Sequence, residues 1–129
     1  MLVAVGCGPS GNVGPATPAQ KSDAALNDIG EIYRIFLLTN KKPPTKIGDL
    51  AGFQNVGSTG VAALKSGEVV VLYGAMMTDT NEGPASTSSN EVLAYEKKVP
   101  ESGGKVLMLD RTVREMTADE FKAAPKAGK

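Results

Sequence analysis

Residues 22–39 read Ser-Asp-Ala-Ala-Leu-Asn-Asp-Ile-Gly-Glu-Ile-Tyr-Arg-Ile-Phe-Leu-Leu-Thr. Leu26, Ile29, Tyr33 and Phe36/Leu37 recur at helical spacing, and Ala25 and Ile32 widen the stripe to one broad apolar face. Ser22 or Asp23 is placed to cap the start. Asn40 and the Pro43-Pro44 pair stop the helix, because proline lacks an amide donor and restricts the residue before it. A helix of this length with one apolar face needs a surface to cover, and the rest of the chain is expected to supply a sheet.

Downstream, Thr45–Ala51 and Ser58–Ser66 read as short helical turns, the second ended by Gly67. Val69-Val70-Val71-Leu72-Tyr73, within 68–77, is too short and too β-branched for a helix, and its unbroken apolarity predicts a central strand buried on both faces. Glu91–Val99 and Lys105–Leu109 read as antiparallel strands joined through Ser102-Gly103-Gly104. Asp110-Arg111 then closes a turn into Thr112–Met116, and because arginine disfavours the positive φ of a two-residue turn, a bulge is the expected alternative. Thr117-Ala-Asp-Glu120 is a capping box opening a short final helix through Phe121. The fold class is therefore α+β, a long N-terminal helix packed on a small antiparallel sheet with a short C-terminal helix, and Phe36 and Leu72 are expected in its core.

The flanks differ. Residues 1–7 form an apolar stub ending at Cys7, residues 8–21 a flexible tether rich in proline and glycine, residues 22–122 the domain, and residues 123–129 a disordered tail. Between the strands, residues 78–90 run for thirteen positions without one large apolar side chain, the pattern of an exposed loop.

Composition removes whole classes of chemistry. Formal charge is zero and interspersed, so no basic stripe is available to neutralise a nucleic-acid backbone, and no nucleic-acid partner is expected. Histidine is absent and Cys7 is the only cysteine, which excludes Ser-His-Asp and Cys-His nucleophiles, imidazole or paired-thiolate zinc sites and any intrachain disulfide. Ser86, Thr87, Ser88 and Ser89 have no general base nearby in sequence, and Lys97-Lys98 with Glu96 and Glu101 read as a solvated strand edge. No enzyme activity and no catalytic residue are expected. Asp79, Asn81 and Glu82 place hard oxygen ligands in the loop as a calcium site requires, but the glycine stands fifth and the twelfth residue is Asn90, so the spacing is not that of an EF-hand. A small ligand- or calcium-binding domain is the alternative reading, and no other cofactor is indicated.

Val-Ala-Val-Gly-Cys-Gly, residues 3–8, resembles the lipobox of bacterial lipoproteins, in which small residues precede a cysteine that is diacylated. The resemblance implies lipidation at Cys7, export, and attachment to a bacterial membrane on its periplasmic face or in the cell envelope. Residues before Ser22 are too few and too broken by proline to be expected to span a bilayer.

Further along, Glu91-Val-Leu-Ala-Tyr-Glu96, then Gly103-Gly-Lys-Val-Leu-Met-Leu-Asp110, then a strand holding Val113 and a helix capped by Thr117 resemble the head of bacterial pseudopilin-like proteins. The similarity is to the group with a C-terminal H-X9-D-G signature, related to type II secretion and type IV pilins. Asp110 stands at the signature aspartate, while Pro100 and Arg111 occupy the histidine and glycine positions. The resemblance implies a long helix on an antiparallel sheet with variable loops, no enzyme activity, and an uncharacterised role as a membrane-tethered structural or interaction module with a protein partner.

Overall fold

The computed structural model describes residues 18–77, 80 and 89–127, and side chains from Asp23 onward. Helix α1 (Pro18–Asn40) takes in 23 residues and begins before the expected Ser22, so residues 18–21 belong to the helix and not to the tether. Proline is compatible with the first turn because the amide it lacks has no intrahelical partner there. Leu26, Ile29, Ile32 and Tyr33 are fully buried and Phe36 is 8% exposed, which realises the apolar face read from the spacing.

α2 (Ile47–Ala51) and α3 (Ser58–Ser66) follow. The N-cap position of α2 is Lys46, with no side-chain cap, and the Asp49 carboxylate reaches back to accept from the Thr45 amide and hydroxyl. α3 ends at Gly67, whose φ of 83° is the left-handed conformation anticipated for it. The start of α3 is capped by another helix: the Gly60 amide donates to Asp28 Oδ2 of α1 at 3.0 Å. A β-carbon at Gly60 would stand 2.6 Å from Asp28 Cβ and 2.9 Å from the Ala25 carbonyl, so only glycine lets the helices approach this closely.

The strands are β1 (Val69–Val71), β2 (Val92–Glu96), β3 (Gly104–Met108) and β4 (Val113–Met116), an antiparallel meander in the order β1-β2-β3-β4. β1 is thus an edge strand, which corrects the expectation of a central one. Its apolar run is explained by helices: Val69 and Val71 join the core under α1 and α3, while Val70 and Leu72 are only half-buried. Past Leu72 the chain leaves the sheet through Gly74, whose amide donates to the Pro44 carbonyl.

A bulge in β2 decides how the sheet fills both sides. Val92 pairs with Met108 and Ala94 with Leu107, leaving Leu93 as an extra residue. Leu93 and Ala94 therefore both face the helix side with Leu107, whereas Val92, Val106 and Met108 face the other. That second face is covered by one-turn α4 (Val99–Ser102), by α5 (Ala118–Ala123) through Phe121, and by the half-buried Leu72 and Tyr95. The strand expected to run to Val99 stops at Glu96, and Val99 turns into α4 with Pro100 in its first turn.

α5 opens on the expected capping box, with Thr117 Oγ1 accepting from the Glu120 amide at 3.0 Å and Glu120 Oε1 from the Thr117 amide at 2.8 Å. The tail differs from expectation. Through Ala127 it is ordered, bridging in parallel to Val92 at Lys126, and Ala127 is 2% exposed.

Candidate functional site

Cys7, Asp79, Asn81, Glu82 and Ser86–Ser88 lie outside the described residues, but the chain on either side of the 78–90 segment is described, and there the structure gathers its buried charges. Arg34 and Asp110 are the buried charged side chains among the described residues, at 5% and 7% exposure, and each holds one foot of that segment.

At the N-terminal foot, Arg34 donates from Nη1 to the Thr80 carbonyl at 3.0 Å. One turn earlier in α1, Glu31 pairs with the same guanidinium through Nε and Nη2. The Arg34 hydrogen bond holds the Glu31 carboxyl below its ordinary pKa against the opposing effect of burial, with the Arg34 and Arg111 charges adding to it. Tyr33, next to Arg34, donates its hydroxyl to the Ala75 carbonyl at 2.6 Å. Burial pushes the Tyr33 hydroxyl up to about 12, so it remains a donor at any physiological pH.

At the C-terminal foot, Asp110 Oδ2 accepts from the Ser89 amide at 2.9 Å, while Oδ1 accepts from the Thr112 amide at 3.0 Å and its hydroxyl at 2.6 Å. Arg114 approaches the same carboxylate at 3.8 Å. Burial alone would raise the pKa of Asp110; hydrogen bonds from Thr112 and Ser89 and the Arg114 charge outweigh it and keep the carboxyl below its ordinary value. The turn carrying Asp110 has the bulged form: the Arg111 amide donates to the Met108 carbonyl, the Met108 amide to the Thr112 carbonyl, and Arg111 adopts φ 70°. A non-glycine residue in that conformation is uncommon. Its side chain reaches Met77, with Nη1 3.8 Å from the sulfur, so consecutive residues of one turn hold Met77 and Ser89, before and after the loop.

The sequence singled out Asp110, though for its match to a signature and not for this task. Arg34 was missed. Its signal was an arginine three residues after a glutamate, which on an exposed helix face is an ordinary surface pair. Burial, which only the fold supplies, turns it into a clamp.

Other polar groups have structural tasks. Glu96 accepts from the Lys105 amide at 2.7 Å, and Lys97 and Lys98 are exposed. Among the described residues, no cluster of three or more histidine, cysteine, aspartate or glutamate side chains is placed to hold a metal, and no helix is long and apolar enough to cross a membrane. A groove of about 940 Å³ runs between Ala25 of α1, Ser58, Ala62 and Ser66 of α3, Val69 of β1 and Lys97-Lys98; no residue of the loop or its clamps lines it.

Fold and site together define an α+β domain whose four-stranded antiparallel sheet is covered on both faces and whose buried charges among the described residues bind Thr80 and Ser89. No known protein family, curated protein or solved structure matches the chain in comparison.

Proposed function

We propose that this chain is an extracytoplasmic interaction module, a pseudopilin-like head tethered to a bacterial membrane through lipid at Cys7, that presents the 78–90 loop to a protein partner. The observation that carries the reading is the pair of clamps. Burying a charge is costly unless it is paired and hydrogen-bonded, so two buried, paired charges at the two ends of one polar segment hold those ends in fixed positions. Here Arg34 and Asp110 are both buried and both directed to the feet of that loop. Binding residues are disproportionately carried on loops positioned by a rigid scaffold. The lipid would confine the head near the membrane and raise its effective concentration for partners there.

The test is site-specific photo-crosslinking in cells expressing the tethered protein. A photoreactive residue at Ser86 in the loop is expected to give a discrete protein adduct, and the same residue at Ser66 in α3 is expected to give none. Equal labelling at the two positions, or no adduct at Ser86, refutes the loop as the contact surface.

A further inference from the structure

Val92 sits at an irregular point of the sheet. Leu93 beside it is the extra residue of the bulge, so the ladder to β3 is interrupted there, and the Met108 amide turns to the Thr112 carbonyl. On the side opposite β3, β1 and Leu72 reach only to Leu93, whose carbonyl accepts from the Leu72 amide at 2.8 Å. The backbone groups of Val92 are met instead by the C-terminal segment. The Val92 amide donates to the Pro125 carbonyl at 2.9 Å and the Ala127 amide to the Val92 carbonyl at 2.8 Å, a parallel bridge centred on Lys126. Ala127 is buried in the core under α1, and the Lys126 ammonium donates to the carbonyls of Phe121 and Ala124 at the end of α5, 4.3 Å from the centre of the Phe121 ring. A buried alanine and a lysine folded back on the preceding helix thus keep this strap in place.

Val92 is also where the chain arrives from the 78–90 segment. One residue earlier, the Glu91 carbonyl accepts from the Leu109 amide at 2.8 Å and the Glu91 amide donates to Ser89 Oγ at 3.1 Å, while Ser89 gives its own amide to Asp110. Residues 89–92 therefore lie between two holds from different parts of the chain, the Asp110 turn at one end and the strap at the other. The backbone of Glu91 faces the turn and that of Val92 the strap, the alternation of an extended chain. So short a stretch cannot shift at one end and keep its register at the other. We infer that residues 125–127 and Asp110 form one two-part latch on Ser89–Val92, so that release of the strap frees this foot of the loop while the outgoing chain at Gly74 stays in place. Opening of the latch is local, because the strap is held by two backbone hydrogen bonds, one small side chain and one lysine. Whatever draws Lys126 off the end of α5 loosens Ser89, with or without a partner on the loop.

Amide exchange followed by NMR tests the latch. Lys126→Met keeps the length of the side chain and removes its donors. In that variant Val92 and Ala127 are expected to exchange about tenfold faster, Ser89 and Glu91 about fivefold faster, and Gly74 and Val106 at the wild-type rate. Coupling between two sites is reciprocal, so Asp110→Asn, at the other end of the latch, is expected to speed Ala127 by a similar factor of about five. Faster exchange at Val92 and Ala127 with Ser89 and Glu91 unchanged would show a strap that opens alone and overturns the inference. An Ala127 rate unmoved by Asp110→Asn overturns it too, as do unchanged rates at Val92 and Ala127 in Lys126→Met. Acceleration of Gly74 and Val106 along with the foot would make the opening global, which also contradicts a latch.

Discussion

On one face of the sheet Leu93, Ala94 and Leu107 lie under α1 and α3; on the other Val92, Val106 and Met108 lie under Val99 and Phe121. Both sets of strand residues are fully buried, yet the covers differ in kind. The first is a 23-residue helix whose apolar stripe is continuous and whose neighbour α3 is locked to it through Asp28 and Gly60. The second is assembled from a four-residue and a six-residue helix, neither long enough to persist alone. A long amphipathic element carries its packing partner in its own periodicity, whereas a cover of short pieces exists only once the sheet has brought them together.

The largest effect is expected where the long cover is breached. Leu107→Ala should cost about 3–5 kcal/mol in urea unfolding, and Phe36→Ala about the same, because each leaves a cavity against a rigid helix. Leu72, half-buried at the margin of the other face, should cost about 1–2 kcal/mol as alanine. Equal losses at Leu72 and Leu107 would erase the distinction between the faces.

An intermediate effect is expected at the loop. Asp110→Ala leaves the Ser89 and Thr112 amides without their acceptor and should cost about 1–3 kcal/mol. Because the folded-state pKa of Asp110 lies below its ordinary 3.8, the native state binds fewer protons there than the unfolded chain. Its contribution is complete above about pH 4 and is lost as pH falls through the lowered value. Asp110→Asn should therefore flatten the acid limb of a stability profile below pH 4, with amide exchange rising at Ser89 while Leu37 in α1 is unaffected. A profile identical to wild type would remove Asp110 as a clamp.

The smallest effect sharpens the comparison at the level of single hydroxyls. Tyr33 donates to the Ala75 carbonyl, whereas the Tyr73 hydroxyl is buried with no partner among the described residues. Tyr33→Phe should cost about 1 kcal/mol, and Tyr73→Phe should be neutral or stabilising, since an unmet buried donor is removed. Thermal melts of the two variants measure it; a loss at Tyr73 matching that at Tyr33 would mean its hydroxyl is paired.

Much of this architecture is legible in the sequence because it is local. The stripe from Leu26 to Leu37 gives α1, Gly67 ends α3, Thr117 and Glu120 form their box, and the turn at Asp110-Arg111 takes the bulged form, although Arg111 adopts there the positive φ that its side chain disfavours. What stayed hidden depends on contacts distant in sequence. Val69–Val71 reads as central because a strand roofed by helices and a strand flanked by strands have the same apolar run. Ala124–Ala127 reads as a frayed end because alanine, proline and lysine carry no strand signal, and their place is set by an open position beside Val92. Leu93 and Ala94 share a face through a bulge that alternation does not announce. Of the candidate site residues, Cys7, Asp79, Asn81 and Glu82 lie outside the described residues, so the site that the structure adds is the pair of clamps at Thr80 and Ser89.

The tether is the claim on which localisation and partner both rest, and one sulfur decides it. Two acyl chains hold a protein firmly where one binds only marginally, at about 0.8 kcal/mol per buried CH₂. The direct measurement is to express the natural full-length gene as wild type and as Cys7→Ser, fractionate the cells, and weigh the mature N-terminal peptide. Wild type should sediment with membranes and carry diacylglyceryl mass at Cys7, and the serine variant should lose both. Wild type found unmodified in a soluble fraction would contradict the account.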